Sequence, residues 1–487
     1  VFFKEAIHQS LPYLGFLTEP LFVYFLLLLL SAIHLSRQTF TLLQSHIKPS
    51  LLFLLSFVFV ILVGSGLLML PNATVHGIHF VDALFISTTS VCVTGLTTVD
   101  VATTFTHTGH IIIMFLIQIG GIGVMTFTSF FALSFMGHSS FTSKLVLKDM
   151  LNEDRVNGLF RVILNILFVT LFIEGVGAYL IYLDIKGGLP GGTQEEVFYA
   201  VFHAVSAFCN AGISTLSGNM YDPLVAQKYN LHVWIALLIV FGALGFPIVF
   251  NYLKLLRHLL VNTFKIVIGQ QKHYIHTPRI ININTYIVMI STLVLLAGGT
   301  FFYYLLEIDN TRAGLPFRGQ LANAFLGAVT PRTAGFCVAD MGTLTTGTLM
   351  LTLILMIIGA APMSTGGGLK VTTVCVALLT AHNAARGKEN VEIRKREISP
   401  ETIRRAFATI VFYFCWLGAA VWILSITEKD VPVFTLIFEV VSALSTVGLS
   451  LNFSPLLSIS GKLVIIFTML VGRIGILAFF ISFYKEY

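Results

Sequence analysis

Four short stretches of this sequence share one chemistry. Cys92-Val93-Thr94-Gly95, Cys209-Asn210-Ala211-Gly212, Arg332-Thr333-Ala334-Gly335 and Ser445-Thr446-Val447-Gly448 each place mostly small or hydroxylated residues before a glycine. Such segments offer backbone carbonyls rather than ionisable side chains, and extended backbone can turn its carbonyls inward to replace the water around an ion. The carbonyls in position to do so belong to Val93, Thr94, Asn210, Ala211, Thr333, Ala334, Thr446 and Val447. Glycine suits the fourth place because it adopts φ values closed to other residues. The competing use of each glycine is close helix packing. Successive glycines lie 117, 123 and 113 residues apart, and this near-even spacing marks an internal repeat.

Each stretch follows a mostly apolar run, at 82–90, 196–207, 320–330 and 433–444, that is too short to cross a bilayer. Asp82 is expected to cap the first turn of its run, with Glu196, Gln320 and Pro432 near the starts of the others. Irregular backbone at membrane depth is tolerated only where protein buries it or water lines it. Four half-helices entering from one side would aim their partly negative C-terminal ends at one centre, which favours a cation there. The loops carry no ring of acidic side chains, the arrangement a divalent ion favours. A carbonyl-lined path fits a monovalent ion, and composition alone does not separate potassium from sodium.

The surrounding chain is built for lipid. Of 487 residues, 56% are hydrophobic and only 11% charged. Apolar segments at 53–70, 111–134, 162–183, 231–250, 286–306, 346–361, 407–424 and 463–484 are long enough, alone or with their flanks, to span as helices. The expected fold is an all-α polytopic membrane protein with four pseudo-symmetric repeats of helix, pore half-helix, filter loop and helix around one pore. The expected boundaries are an extra helical region at 1–49 and repeats at 50–159, 160–283, 284–401 and 402–487, the third with a broken inner helix and a gating loop. The linkers 135–161, 252–284 and 383–405 hold 16 Lys and Arg, whereas the four segments bearing the glycine loops hold seven. Basic loops stay in the cytoplasm, so the glycine loops open outward. The helix at 19–36 then runs inward, and together with a first residue of Val1 this leads to the expectation of a further helix upstream. The formal charge of +6 reflects this inward bias and lipid contact rather than nucleic-acid binding. Five cysteines with no close-spaced pair read as small packing residues.

Within the third repeat, Gly359, Pro362, Ser364, Thr365, Gly366, Gly367 and Gly368 interrupt an apolar helix. Proline and three consecutive glycines cannot hold regular helix. The break serves either as a movable barrier under the filter or as a static kink. Arg473 lies in an otherwise uncharged helix, a costly position unless it meets water, a carboxylate or carbonyl oxygens. Facing the cavity, it would raise the barrier to a cation; the alternative is a tie between the fourth repeat and loop 359–368. Lys370 would pair with a carboxylate or reach the inner surface. Arg332 is expected to point away from the ions toward an outer acid, Glu439 to form a structural link behind the filter, and His203 to be a packing residue. Gly120, Gly121, Gly123, Gly242, Gly245, Gly472 and Gly475 read as packing positions, with Pro247 adding a bend.

Taken in order, Val91-Cys92-Val93-Thr94-Gly95-Leu96, Asn210-Ala211-Gly212, Thr330-Pro331-Arg332-Thr333-Ala334-Gly335-Phe336 and Thr446-Val447-Gly448-Leu449 resemble the membrane subunits of the bacterial Trk/Ktr potassium-uptake superfamily. The likeness covers 50–485, and helix 19–36 is similar to the extra N-terminal region of the TrkH branch. The resemblance implies one filter glycine per loop, potassium as the transported ion where all four are present, and a bacterial inner-membrane location. It also implies an intramembrane loop that obstructs the pore and moves during gating, with an arginine adding to the barrier. Ala360, Ala361 and Met363 stand where the family often has smaller residues. A homodimer with one pore per protomer is implied, as is a cytosolic ring of RCK-type nucleotide-binding subunits, TrkA- or KtrA-like. No Walker motif, dinucleotide fingerprint or catalytic constellation is legible in the chain, so neither an enzyme nor an organic cofactor is expected. Channel-like potassium uptake is the favoured function; coupling to sodium or protons, or a less selective cation path, are the alternatives.

Overall fold

A computed structural model describes residues 49–134, 157–268, 283–388, 392–393 and 396–483. The chain divides into units 1–52 and 53–487. The expected N-terminal helix at 19–36, any helix before Val1 and parts of the basic linkers lie outside the described residues.

Unit 53–487 runs through one succession of elements four times. An outer helix comes first: α1 (Pro49–Leu68), then later α4 (Asn157–Ile185), α8 (Ile283–Glu307) and α12 (Pro400–Thr427). Next is a short helix: α2 (Phe80–Val91), α5 (Gly192–Cys209), α9 (Phe317–Val329) and α13 (Val433–Leu444). A loop then leads to the inner helices. These are α3 (His107–Ser134), the pair α6 (Tyr229–Leu244) and α7 (Phe246–Val267), the pair α10 (Thr346–Ile357) and α11 (Val371–Ala385), and the pair α14 (Ile459–Ile474) and α15 (Ile476–Phe483).

Segments Ile163–Ile185, Asn284–Glu307 and Pro400–Thr427, within α4, α8 and α12, are each long and apolar enough to cross a membrane unaided. Their outer faces bear exposed Phe168, Leu171, Leu293, Val294 and Trp422, an apolar surface of the kind that lipid covers. The short helices are the reverse. Residues 85–91 of α2 and 438–444 of α13 are buried, polar members included.

Small residues let these layers touch. A Cβ added at Gly120, Gly242 or Gly472 would strike the carbonyl of Val91, Phe208 or Leu444, each four residues before a loop glycine. Those three glycines are packing positions. At Gly245 and Gly475 the chain also bends: with φ of 80° and 90° they break α6 from α7 by 102° and α14 from α15 by 94°. A positive φ is open to glycine at little cost, which corrects the reading of these two as packing alone.

Acids at the C-terminal ends of α8 and α12 clasp the following inner helices. Glu307 accepts from the backbone and hydroxyl of Thr345, and Glu428 from those of Ser458. Thr345 and Ser458 in turn cap α10 and α14. Buried Arg312 donates to the carbonyls of Tyr303, Tyr304 and Gln320, fastening the end of α8 to α9.

Candidate functional site

The four glycine loops meet. A Cβ built on Gly95 would stand 2.5 Å from the carbonyl oxygen of Ala211, and one on Gly335 would stand 2.7 Å from that of Val447. Gly212 faces the carbonyl of Ala334 in the same way, and Gly448 faces that of Thr94. The contacts close a cycle, each glycine against the carbonyl preceding the glycine of the next loop. No side chain fits at any of the four.

The backbone that makes this ring is not extended. Val93, Asn210, Thr333 and Thr446, each two residues before its glycine, have φ of 53°, 64°, 74° and 50°; the glycines follow at 99°, 66°, 78° and 90°. A left-handed conformation is costly for β-branched Val93, Thr333 and Thr446. Hydrogen bonds behind the loops hold it. Thr94, Ala211 and Val447 donate backward to Thr89 O, Ser206 O and Ser442 O at 2.8, 2.7 and 2.8 Å, and Ala334 donates to Thr330 O at 2.9 Å. Gly95 and Gly448 donate to Thr89 Oγ1 at 2.9 Å and Ser442 Oγ at 3.1 Å. With the N–H groups turned back, the carbonyls of Val93, Thr94, Asn210, Ala211, Thr333, Ala334, Thr446 and Val447 accept no hydrogen bond among the described residues. The Asn210 amide lies 3.2 Å from Thr333 Oγ1, joining two neighbouring loops.

Loop 359–368 packs directly against these segments. Cβ atoms added at Gly366 and Gly367 would collide with Thr333 Oγ1 and Thr446 Oγ1. The loop doubles back on itself through Gly359 N–H to Leu369 O at 2.9 Å and Ser364 Oγ to Ala361 O at 2.6 Å. Its outer edge is tied to the second repeat, with Ala361 N–H on Ala243 O at 3.0 Å, Thr365 N–H on Gly242 O at 3.4 Å, and the carbonyls of Pro362 and Met363 against Gly245. Break and loop therefore fit one another.

Arg473 spans the assembly. It donates to the carbonyl of Thr365 in the loop, and to Gly120 O in α3 at 2.8 Å. This buried side chain thus ties α14 to α3 and to loop 359–368 by carbonyl contact. Lys370 donates to Gly366 O at 2.6 Å, four residues back in its own loop. The expected carboxylate is replaced by this carbonyl among the described residues. Arg332 is 2% exposed, and among the described residues no carboxylate forms an ion pair with it, which corrects the outer-acid expectation.

Asp82 does not cap α2, whose N-cap is His79. Its carboxylate instead pairs with Lys462 at 2.6 Å and accepts from Thr98 at 2.7 Å. Glu439 receives the hydroxyls of Ser450, at 2.8 Å, and Ser454. His203 contacts Ser214 Oγ at 2.9 Å and stacks on Tyr199. A further buried acid, Glu174, had no signal in the sequence beyond lying in the middle of an apolar run. It receives Gln118 at 3.0 Å and lies 3.8 Å from Cys209 Sγ, directly beside the second loop.

A helical membrane fold with four carbonyl-bearing loops in mutual contact defines a cation-translocating membrane protein. The family model for TrkH, described as a cation transport protein, matches residues 55–487, and the chain belongs to that family. It is 36% identical over 428 residues to the Ktr system potassium uptake protein B of Vibrio alginolyticus, covering 87% of this chain and 88% of the relative. It is 34% identical over 442 residues to the potassium/sodium uptake protein NtpJ of Enterococcus hirae, covering 89% and 92%. The crystal structure of the potassium transporter TrkH from Vibrio parahaemolyticus shares the fold, with a TM-score of 0.69 at 17% identity, covering 90% of this chain and 84% of that one.

Proposed function

We propose that this chain is the pore-forming membrane subunit of a bacterial potassium-uptake system, passing potassium through the cytoplasmic membrane down its electrochemical gradient. The observation that carries the reading is the closed cycle of Gly95, Gly212, Gly335 and Gly448, each against the next loop's carbonyl. A monovalent cation that sheds its water recovers oxygen ligands from such a ring. The C-terminal ends of α2, α5, α9 and α13, three to six residues before the glycines, add their partial negative charge. In this reading residues 50–159, 160–283, 284–401 and 402–487 are four repeats around one pore.

The gate is loop 359–368, with Lys370 and Arg473. Support comes from its contact with Thr333 and Thr446 and from the carbonyls through which Arg473 holds it. A buried guanidinium at this level repels a passing cation, and displacing the loop would withdraw both obstacles together. The proposed partners are a second copy of the chain and a cytosolic ring of nucleotide-binding RCK-type subunits, for which the basic linkers offer the facing surface. The relatives named as parts of a Ktr system support a multi-component assembly.

The relative named for both potassium and sodium favours a second reading, a path that also admits sodium. Purified protein in liposomes under opposed potassium and sodium gradients separates the cases. A reversal potential that follows the potassium Nernst value supports selective conduction. One set equally by both ions supports the second reading. A fixed stoichiometric dependence on sodium or protons would replace conduction with coupled transport.

A further inference from the structure

The loops are alike in backbone but not in what stands behind them. His203 and Glu439 both lie nine residues before their glycines, and both are fully buried. Each meets a hydroxyl two residues beyond that glycine: Ser214 Oγ at 2.9 Å from His203 Nε2, and Ser450 Oγ at 2.8 Å from Glu439 Oε2. The proton positions agree. Ser214 Oγ accepts from Leu216 N–H at 3.0 Å, and Ser450 Oγ from Phe453 N–H at 3.1 Å, so each hydroxyl is left to donate toward the pore helix. His203 Nδ1 lies 2.9 Å from Tyr199 O, which puts the ring proton on Nδ1 and leaves Nε2 as the acceptor.

In the first and third loops the same position is Ile86 or Leu326, which can make no such bond. The first loop is clasped instead by Asp82 and Thr98, one turn farther out. Since the glycine contacts run in cyclic order, the second and fourth loops face one another across the ring.

We infer that His203 and Glu439 are a diagonal pair of positioning residues that set ion selectivity, each holding the outer limb of its loop through Ser214 or Ser450. The inference rests on the proposed potassium path. A carbonyl ring discriminates between ions of different radius only while its width is held against the smaller one. Two braces on one diagonal fix that width, and the other two loops lean on them through the glycine contacts.

The test is the potassium-over-sodium permeability ratio of the full-length protein in liposomes, read from reversal potentials. S214A and S450A remove the hydroxyls and leave the buried acceptors and the fold in place. Each should lower the ratio by about three- to tenfold, the worth of one buried hydrogen bond. S214T and S450T, which keep the hydroxyl, should restore it, and H203L with E439L, which copies the first and third loops, should lower it further. Ratios unchanged in both alanine variants, with the unaltered protein selective and the variants monodisperse and conducting, would overturn the inference alone. An unaltered protein without potassium selectivity would remove the underlying reading and the inference with it.

Discussion

Arg473 in α14 donates to the carbonyl of Thr365, so a charged residue more than a hundred positions away holds the loop between α10 and α11. Its second nitrogen reaches Gly120 O in the first repeat at 2.8 Å. An arginine within a membrane is costly unless it serves such a contact, and in the proposed reading this one stands beside the ion path. Arg473→Gln should therefore raise cation flux by loosening the loop and removing the charge together. Rubidium uptake into liposomes measures it, and unchanged flux at equal incorporation would refute the barrier role.

Gly335 and Gly448 have φ of 78° and 90°, and each faces the next loop's carbonyl. A side chain adds about 1–2 kcal/mol of backbone strain in that conformation, besides the collision. Gly335→Ser and Gly448→Ser should lower potassium selectivity before they lower folding yield. Gly77, with φ of 79° and nothing within 4 Å of an added Cβ, is the control. Gly77→Ser should leave the permeability ratio unchanged.

Loop 359–368 touches the filter segments through glycines. At Gly366 an added methyl would meet Thr333 Oγ1 and, at 2.6 Å, Ala360 Cβ. Gly366→Ala should push the loop away from Thr333 and raise basal conductance in single-channel records. A loop that served only as a fixed kink would instead show normal conductance with reduced thermal stability.

Asp82 and Lys462 pair at 2.6 Å with side chains 14% exposed, joining the first short helix to the fourth inner helix. Partial burial makes this pair worth more than an open surface pair. Asp82→Ala and Lys462→Ala should each destabilise the detergent-solubilised protein by about 1–2 kcal/mol, read as a lower melting temperature. The double substitution should cost less than the sum of the two, since both remove the same pair. Additive losses would show that the two residues act separately.

The residue pattern alone established the helical membrane class, the locations of the four short helices and glycine stretches, and the break at 359–368. Apolar length, glycine spacing and proline are local signals, and lipid imposes them on any chain that spans it. Tertiary structure decided the rest. The left-handed turns at Val93, Asn210, Thr333 and Thr446 use residue types that disfavour such φ values, so only hydrogen bonds to the preceding short helix reveal them. Lys370 found a carbonyl in its own loop, Asp82 found Lys462 380 residues away, and Gly245 and Gly475 became sharp breaks, Gly245 also lying against the carbonyls of Pro362 and Met363. Partners as distant in sequence as Asp82 and Lys462 meet only when the whole chain closes on itself, and that closure is written in no single segment.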